Sequence, residues 1–226
     1  MANADHHDDT RRALLIRMLA AGLLSATPGV FAGQVPRQMP AGRSIYSLQG
    51  TLTINGKDAT PDSLIRPNDL LNTGPQSQAI FVVGHDAFTL RENSELQLSG
   101  DKLLVGGLRL VTGALLSVFG KSPHKIQTAT ATIGIRGTGV YAESDPELSY
   151  ICTCYGITEI ASFSGETTTV ESRHHDAAKY VTAKGEILPA RFINHTDEEL
   201  MLIETLVGRT PPFALFDDSY GGPKRY

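Results

Sequence analysis

The sequence predicts a mainly β protein with one helix near its C-terminus. Its 22 glycines and 12 prolines recur at short intervals along the chain, which favours many short elements joined by turns. Between these turns, apolar and β-branched runs of about 4–7 residues occur about a dozen times. Apolar residues at helical spacing are concentrated in one segment, residues 196–208.

Composition bounds the class of protein. Hydrophobic residues make up 41% and charged residues 19% of the 226 residues, so the chain can bury an ordinary globular core. The net charge of −4 and the lack of a basic patch argue against a nucleic-acid partner. The two cysteines, Cys152 and Cys154, are too few and too close together to form a disulfide framework.

Residues 1–32 are expected to be a cleaved signal peptide. A basic region at 11–17 precedes an apolar stretch from Met18 to Ala26, and residues 30–32 end in the small Ala32 that a signal peptidase reads. The apolar stretch is shorter than the roughly 20 residues that span a membrane, so no anchor is expected after cleavage. The protein is therefore predicted in the periplasm, by the general secretory or the twin-arginine route.

A flexible lead-in, residues 33–44, and a β domain, residues 45–172, are expected next. Asn55-Gly56 indicates a two-residue hairpin, because both residues tolerate positive φ. Gly84-His85-Asp86 is expected to turn one strand, residues 79–83, into the next.

Further strands are predicted through the rest of this domain, in the runs 95–98, 103–105, 108–111, 114–119, 126–135, 140–142, 150–155, 157–163 and 167–170. The short connections predict antiparallel neighbours, because a parallel crossover needs about a dozen residues or more. The architecture is then an antiparallel sandwich of short strands or a twisted, solenoid-like stack.

A C-terminal extension, residues 173–213, is expected to carry the helix. Thr196 and Glu199 form a capping-box pair, and Leu200, Ile203 and Leu206 make one apolar stripe. The helix is too short to be stable alone, so it should pack against the β domain. Residues 214–226 are predicted to be a disordered tail.

Three stretches together resemble the FecR family. Residues 84–98 are similar to its turn and following strands, residues 108–114 to a second segment, and Ile135-Arg136-Gly137-Thr138 to its Arg-Gly-Thr signature. The resemblance extends over residues 45–165. It implies a periplasmic β domain, described as a twisted solenoid-like stack, that relays the state of an outer-membrane receptor to a sigma factor.

This chain departs from that family pattern. The 32 residues before the mature chain leave no room for a sigma-binding segment and a membrane span, so a stand-alone domain without the relay role is expected. In the signature, Gly137 is expected to bend the backbone. Arg136, beside Gly137 and followed by Thr138 as the third signature residue, is expected to brace neighbouring carbonyls or a carboxylate rather than to contact a ligand.

Cys152 and Cys154 are the candidate metal ligands. In a strand they lie on one face, with Cα atoms about 6.5–7 Å apart, at the limit for a disulfide. With His174 and His175, and with His195 as a further candidate, they could hold zinc or cuprous copper. The alternative is two half-buried cysteines that pack as small hydrophobes, with solvated histidines; His195 is also expected simply to precede the helix N-cap.

Enzyme motifs are missing from the sequence. It contains no nucleophile elbow, no His-Glu-x-x-His and no phosphate-binding loop, and Cys154 with His174 or His175 is the one thiol–imidazole pair to consider. The leading hypothesis is therefore a non-catalytic periplasmic module that binds an envelope protein or a small or polymeric ligand. A metal- or redox-responsive protein is the second hypothesis, and a thiol-dependent enzyme is the third.

Overall fold

The computed structural model describes residues 38–101 and 104–215, which form a 14-stranded sheet, helix α1 and a short 3-10 helix. The predicted class, mainly β with one C-terminal helix, is confirmed. The predicted signal peptide and most of the predicted tail lie outside the described residues. Within 38–101 and 104–215, no helix is long and apolar enough to cross a membrane.

The elements follow one another as β1 (Ile45–Gln49), β2 (Leu52–Ile54), β3 (Lys57–Asp58), β4 (Leu70–Thr73), β5 (Gln78–Val83), β6 (Asp86–Leu90), β7 (Glu95–Asp101), β8 (Leu104–Val118), β9 (Pro123–Gln127), β10 (Ala131–Ser144), β11 (Leu148–Ser162), β12 (Thr167–Ser172), β13 (Ala177–Thr182), β14 (Ile187–Ala190), α1 (Asp197–Leu206) and the 3-10 helix (Pro212–Leu215).

Both predicted hairpin turns are present. Asn55 and Gly56 have φ of 52° and 76° and join β2 to β3, as a two-residue turn of positive φ requires. Gly84, with φ of 63°, and His85 join β5 to β6, where Val83 pairs with Asp86.

Three strands are much longer than predicted, because glycine does not end them. β8 and β11 have 15 residues each and β10 has 14. Gly107 stays paired with Ser99 of β7, and Gly137, with φ of 57°, lies at a bulge inside β10. A bulge bends a strand without ending its ladder, so the predicted break at these glycines was wrong.

Each long strand changes partners halfway along. The first half of β8 pairs with β7 and its second half with β6 and β10. The first half of β11 pairs with the second half of β10 and with β13, and its second half pairs with the first half of β10 and with β12. The single sheet therefore folds over on itself at these bends.

One pair of strands is parallel, so the prediction of antiparallel neighbours throughout was wrong. Gly107 of β8 pairs with Lys125 of β9, and the two residues are 125 − 107 = 18 positions apart. The second half of β8 and the turn after it supply the crossover length that a parallel pair needs. The chain thus completes one coil between β8 and β9.

The folded sheet encloses a first core. A second core lies on the outer face of the sheet, over the second half of β8, the second half of β10 and the first half of β11. The first core includes Phe81, Phe88, Leu90, Leu96, Leu110, Leu115, Ile133, Val140, Ile151 and Ile160. The second core includes Leu116, Val118, Tyr141, Tyr150, Cys152, Cys154, Tyr155, Leu200, Ile203 and Leu206. Since successive strand residues alternate between the two cores, the strands between them are buried on both faces.

Helix α1 covers the second core. Thr196 is its N-cap and forms the predicted capping box with Glu199, while Val207 ends it and Gly208 follows with φ of 74°. The predicted helix, 196–208, therefore agrees with the structure once the cap residues are counted. The extension also contains β13 and β14, which were not predicted and which continue the sheet from β11.

The predicted lead-in also has contacts in its described part. The backbone N–H of Met39 donates to the carbonyl of Leu206 at 2.8 Å, and the buried hydroxyl of Ser44 donates to the carbonyl of Ile65. The segment from residue 38 to residue 44 is therefore attached to the helix and to the sheet.

Candidate metal centre

Cys152 and Cys154 both face the second core from the first half of β11. Their side chains share one face because they are two positions apart in a strand, as the sequence predicted. Cys154 occupies a bulge, since Tyr155 pairs with Gly139 whereas Thr153 pairs with Val140. Both thiols are free and 0% exposed.

His175 reaches the two sulfurs from the loop between β12 and β13. Its backbone adopts a φ of 54°, a left-handed conformation that few residues other than glycine and asparagine adopt. Its N–H donates to the carbonyl of Cys154 at 2.8 Å, and its ring Nδ1 lies 3.6 Å from the Sγ of Cys152. The strained loop therefore directs this imidazole at the cysteine pair.

His195 reaches the cluster from the residue directly before the N-cap of α1. Its Nε2 lies 3.4 Å from the Sγ of Cys154 and 3.2 Å from the Nδ1 of His175. Its ring stacks on Tyr141, with ring centroids 4.5 Å apart. The two sulfurs and two ring nitrogens of this cluster all lie within 4.8 Å of one another.

A second set of contacts orients both imidazoles. Asp197 accepts hydrogen bonds from the Nε2 of His175 at 3.0 Å and from the Nε2 of His174 at 2.8 Å. The Nδ1 of His195 donates to the carbonyl of Ile193 at 2.7 Å. Each bond holds a proton on the outer nitrogen and turns the Nδ1 of His175 and the Nε2 of His195 toward the sulfurs, where they would become ligand atoms once their own protons are released.

The charges of the cluster are set by these contacts. A hydrogen bond from Cys154, joined by bonds from His175 and His195, holds the pKa of Cys152 well below its usual range despite burial. Burial and the neighbouring Cys152 raise the pKa of Cys154. Burial lowers the pKa of His175, but Asp197 and Cys152 outweigh it and raise that pKa to about 9. Without an ion, the cluster favours a thiolate at Cys152 and a thiol at Cys154.

Asp197 is the negatively charged residue that accepts the hydrogen bonds of His174 and His175. Burial raises its pKa, but hydrogen bonds from His174 and His175 outweigh that effect and hold the pKa well below its usual range. Its carboxylate therefore stays ionised at neutral pH and remains an acceptor for both rings.

The structure brings together three of the four predicted ligands. Cys152, Cys154 and His175 belong to the cluster, whereas His174 contacts Asp197 instead and His195 supplies the fourth donor. His195 lies 41 positions from Cys154, and only the docking of α1 brings it close. The sequence offered His195 as a further candidate ligand but favoured a position just ahead of the N-cap, and the structure shows that it occupies that position and lies in the cluster.

The signature residues have a structural role, but the hydrogen bonds that were expected from Arg136 are made by Thr138 instead. The buried hydroxyl of Thr138 donates to the carbonyls of Arg136 at 2.7 Å and Ile157 at 3.2 Å, across the bulge at Gly137. The Arg136 side chain is exposed on the outer face of β10, where no described neighbour bonds to it. The predicted bend at Gly137 is present, with φ of 57°.

The thiol–imidazole pair differs from the one considered in the sequence. Cys152, rather than Cys154, faces His175, whose other nitrogen contacts Asp197. This order of thiol, imidazole and carboxylate is also found in thiol hydrolases. However, a reactive cysteine must be partly exposed, and Cys152 is fully buried in the second core.

No family model matches this chain, and no curated protein matches it. Two crystal structures of a predicted anti-sigma factor from Parabacteroides distasonis are similar to it, each with a TM-score of 0.46 and 12% sequence identity. Each alignment covers 54% of this chain and 59% of the other, so this chain spans less than two thirds of that protein's length.

Proposed function

We propose that this protein is a non-catalytic, zinc-binding sensing module of the periplasm. The observation that carries the proposal is the largely buried cluster in which donor atoms of Cys152, Cys154, His175 and His195 all lie within 4.8 Å of one another. Two thiolates and two imidazoles are a ligand set that zinc takes in structural sites.

The spacing of the donors supports a tetrahedral ion. Bonds of about 2.3 Å to sulfur and about 2.0–2.1 Å to nitrogen place neighbouring donors roughly 3.3–3.8 Å apart around tetrahedral zinc. Cys154 Sγ lies 3.4 Å from His195 Nε2, Cys152 Sγ lies 3.6 Å from His175 Nδ1, and the two nitrogens are 3.2 Å apart. These three separations are close to the tetrahedral values, and all four donor atoms lie within 4.8 Å of one another.

Charge favours zinc over cuprous copper, the other soft ion expected from the sequence. Zinc with two thiolates and two neutral imidazoles has no net charge, whereas a cuprous ion would leave one uncompensated negative charge. The second core is apolar and buried, and an unpaired buried charge is costly. Four protein ligands also leave no open position for a substrate, which supports a non-catalytic role.

The periplasmic and sensing parts of the proposal have separate support. Residues 1–32 have the layout of an export signal. The resemblance of residues 45–165 to the FecR family favours a module that binds an envelope protein or a small or polymeric ligand. Zinc occupancy is then the condition to which such a module would respond.

Elemental analysis tests the zinc site. Protein purified under reducing conditions should contain about one zinc ion per chain, and the Cys152→Ser plus Cys154→Ser variant should contain almost none. His195→Gln should also lose zinc, whereas His85→Gln, in the β5–β6 turn, should retain it. Cobalt should produce thiolate charge-transfer bands in the native chain and lose them in the double cysteine variant. Wild-type protein without zinc, or zinc that persists in both site variants, would refute the proposal.

A further inference from the structure

We infer that zinc occupancy and docking of helix α1 are one coupled event, in which Asp197 positions His175. The inference rests on the proposed zinc site. Cys152 and Cys154 belong to β11, in the middle of the sheet, whereas both histidines belong to the C-terminal extension. An ion bound by all four residues would therefore tie His195, and with it the start of α1, to the cysteine pair of β11.

Two residues at the start of α1 contact the proposed site. His195 directly precedes the N-cap Thr196, and its Nε2 is one of the four donors. Asp197 is the first residue of the helix and accepts hydrogen bonds from His174 and His175. A shift of this turn away from the sheet would remove one donor and leave the imidazole of His175 without the acceptor that orients it.

The apolar face of α1 depends on the same docking. Leu200, Ile203 and Leu206 are buried in the second core, where Leu116 and Val118 line the outer face of the sheet. If the helix moved away, both apolar surfaces would be exposed to water. The docking of the helix therefore determines whether the apolar outer face of the sheet, at Leu116 and Val118, is covered or exposed.

The far end of α1 has attachments that do not involve the metal site. Glu204 accepts a hydrogen bond from the hydroxyl of Tyr155 and one from the Nε of Arg209 at 2.6 Å. Met39 donates to the carbonyl of Leu206 at 2.8 Å. These bonds would hold the C-terminal end after metal loss. The N-terminal turn would keep the ion pair of Glu199 with Arg91, at 2.7 Å, but would lose the link through His195, so the opening should begin there.

Thermodynamic linkage makes the coupling reciprocal. An ion that binds only the docked arrangement stabilises it in proportion to the logarithm of its concentration relative to the dissociation constant. Docking of the helix must in turn raise the affinity for the ion by the same factor. Loss of zinc should therefore loosen residues 195–200 before it affects the first core.

Hydrogen exchange of the full mature chain, read by mass spectrometry with zinc and after chelation, tests the coupling. Amides of peptides that contain 197–206 and 173–176 should exchange at least about 10-fold faster without zinc. Peptides from β7 and β9, which line the first core, should be unchanged. If zinc binds stoichiometrically and helix exchange is the same in both states, the coupling is wrong while the zinc site stands. If zinc does not bind, the proposed function itself fails.

A pair of variants tests the positioning role of Asp197. Asp197→Asn should weaken zinc affinity by about 10–100-fold, as is usual for a partner of a ligating histidine. Glu198→Gln removes the same charge from the same helical turn and should change the affinity by less than about 3-fold. Competition with a chromophoric chelator measures both affinities. Urea unfolding of the zinc-free variants separates an effect on the helix from one on the ligand.

The role of Asp197 would be overturned if both variants bound zinc as tightly as the native chain. It would also be overturned if both lost affinity equally, since the helix dipole would then explain the effect. A selective loss in Asp197→Asn, with similar stability of the two zinc-free variants, would support it.

Discussion

His124 and Asp86 form a buried ion pair apart from the metal site. The Nε2 of His124 lies 3.0 Å from Asp86, and both side chains are 4% exposed. Burial lowers the pKa of His124, but the hydrogen bond and the charge of Asp86 outweigh it and raise the pKa above its usual value. The cation of Arg209 opposes this rise. The folded state therefore binds the imidazole proton more tightly than the unfolded state.

This pair should make stability depend on pH. Because the folded pKa of His124 is raised, its contribution is fully present below the unfolded value of about 6.5 and is lost as pH rises through the folded value. His124→Gln should reduce the free energy of unfolding by about 1–3 kcal/mol at acidic pH and by less at alkaline pH. Urea unfolding at several pH values between about 5 and 9 measures the difference. Parallel pH profiles for the native and variant chains would contradict it.

Thr138 and Arg136 should differ sharply in their effect on stability. Thr138→Val keeps the shape but removes the hydroxyl that bonds to two carbonyls at the β10 bulge, and should cost about 1–3 kcal/mol. Arg136→Ala should cost less than about 0.5 kcal/mol, because the side chain is exposed. Thr138→Ser, which retains the hydroxyl, is the control for Thr138→Val. Urea unfolding at neutral pH would contradict this assignment if Arg136→Ala were the more damaging change.

At the scale of the elements, two glycines of β8 have opposite requirements. Gly113 has φ of 88°, and a Cβ there would lie 2.5 Å from the Cα of Ser94, directly before β7. A Cβ at Gly106 would have no atom within 4 Å, and the backbone there has no positive φ. The strand therefore requires glycine at position 113, whereas position 106 can accept a larger residue.

Alanine substitution should separate the two positions. Gly113→Ala should destabilise the protein by more than about 2 kcal/mol, since both the backbone conformation and the close approach of Ser94 oppose a Cβ. Gly106→Ala should change stability by less than about 0.5 kcal/mol. Thermal unfolding followed by circular dichroism compares them. Equal losses of stability would show that β8 does not bend at Gly113.

Local patterns predicted the hairpin at Asn55-Gly56, the turn at Gly84 and the capped helix, because a few neighbouring residues determine each of these. The three long strands were missed because a glycine inside a strand and a glycine at a turn look alike in sequence. The pairing of Cys152 with Cys154 follows from the two-residue period of a strand. The choice of His195 over His174 depends on how α1 docks, which is a property of the tertiary structure.

At the scale of the whole molecule, the predicted export of the chain is a separate question. If residues 1–32 are a signal peptide, protein recovered from the periplasm of the native host should begin near Gly33. Intact-mass measurement of that fraction tests the cleavage site. Replacement of Arg11 and Arg12 by lysine should block export only on the twin-arginine route. Full-length protein in the cytosol would contradict the periplasmic assignment.

The bond from Met39 to Leu206 also places the start of the described region beside the C-terminal end of α1, nine residues before the described region ends, since Gln38 lies against Gly208. Neighbouring ends allow a chain to be circularly permuted by a short linker. New chain termini at the β2–β3 turn would then leave α1 joined to the chain at both of its ends. A fluorophore pair fused to the two original ends would report directly on whether the last turn of that helix remains in place.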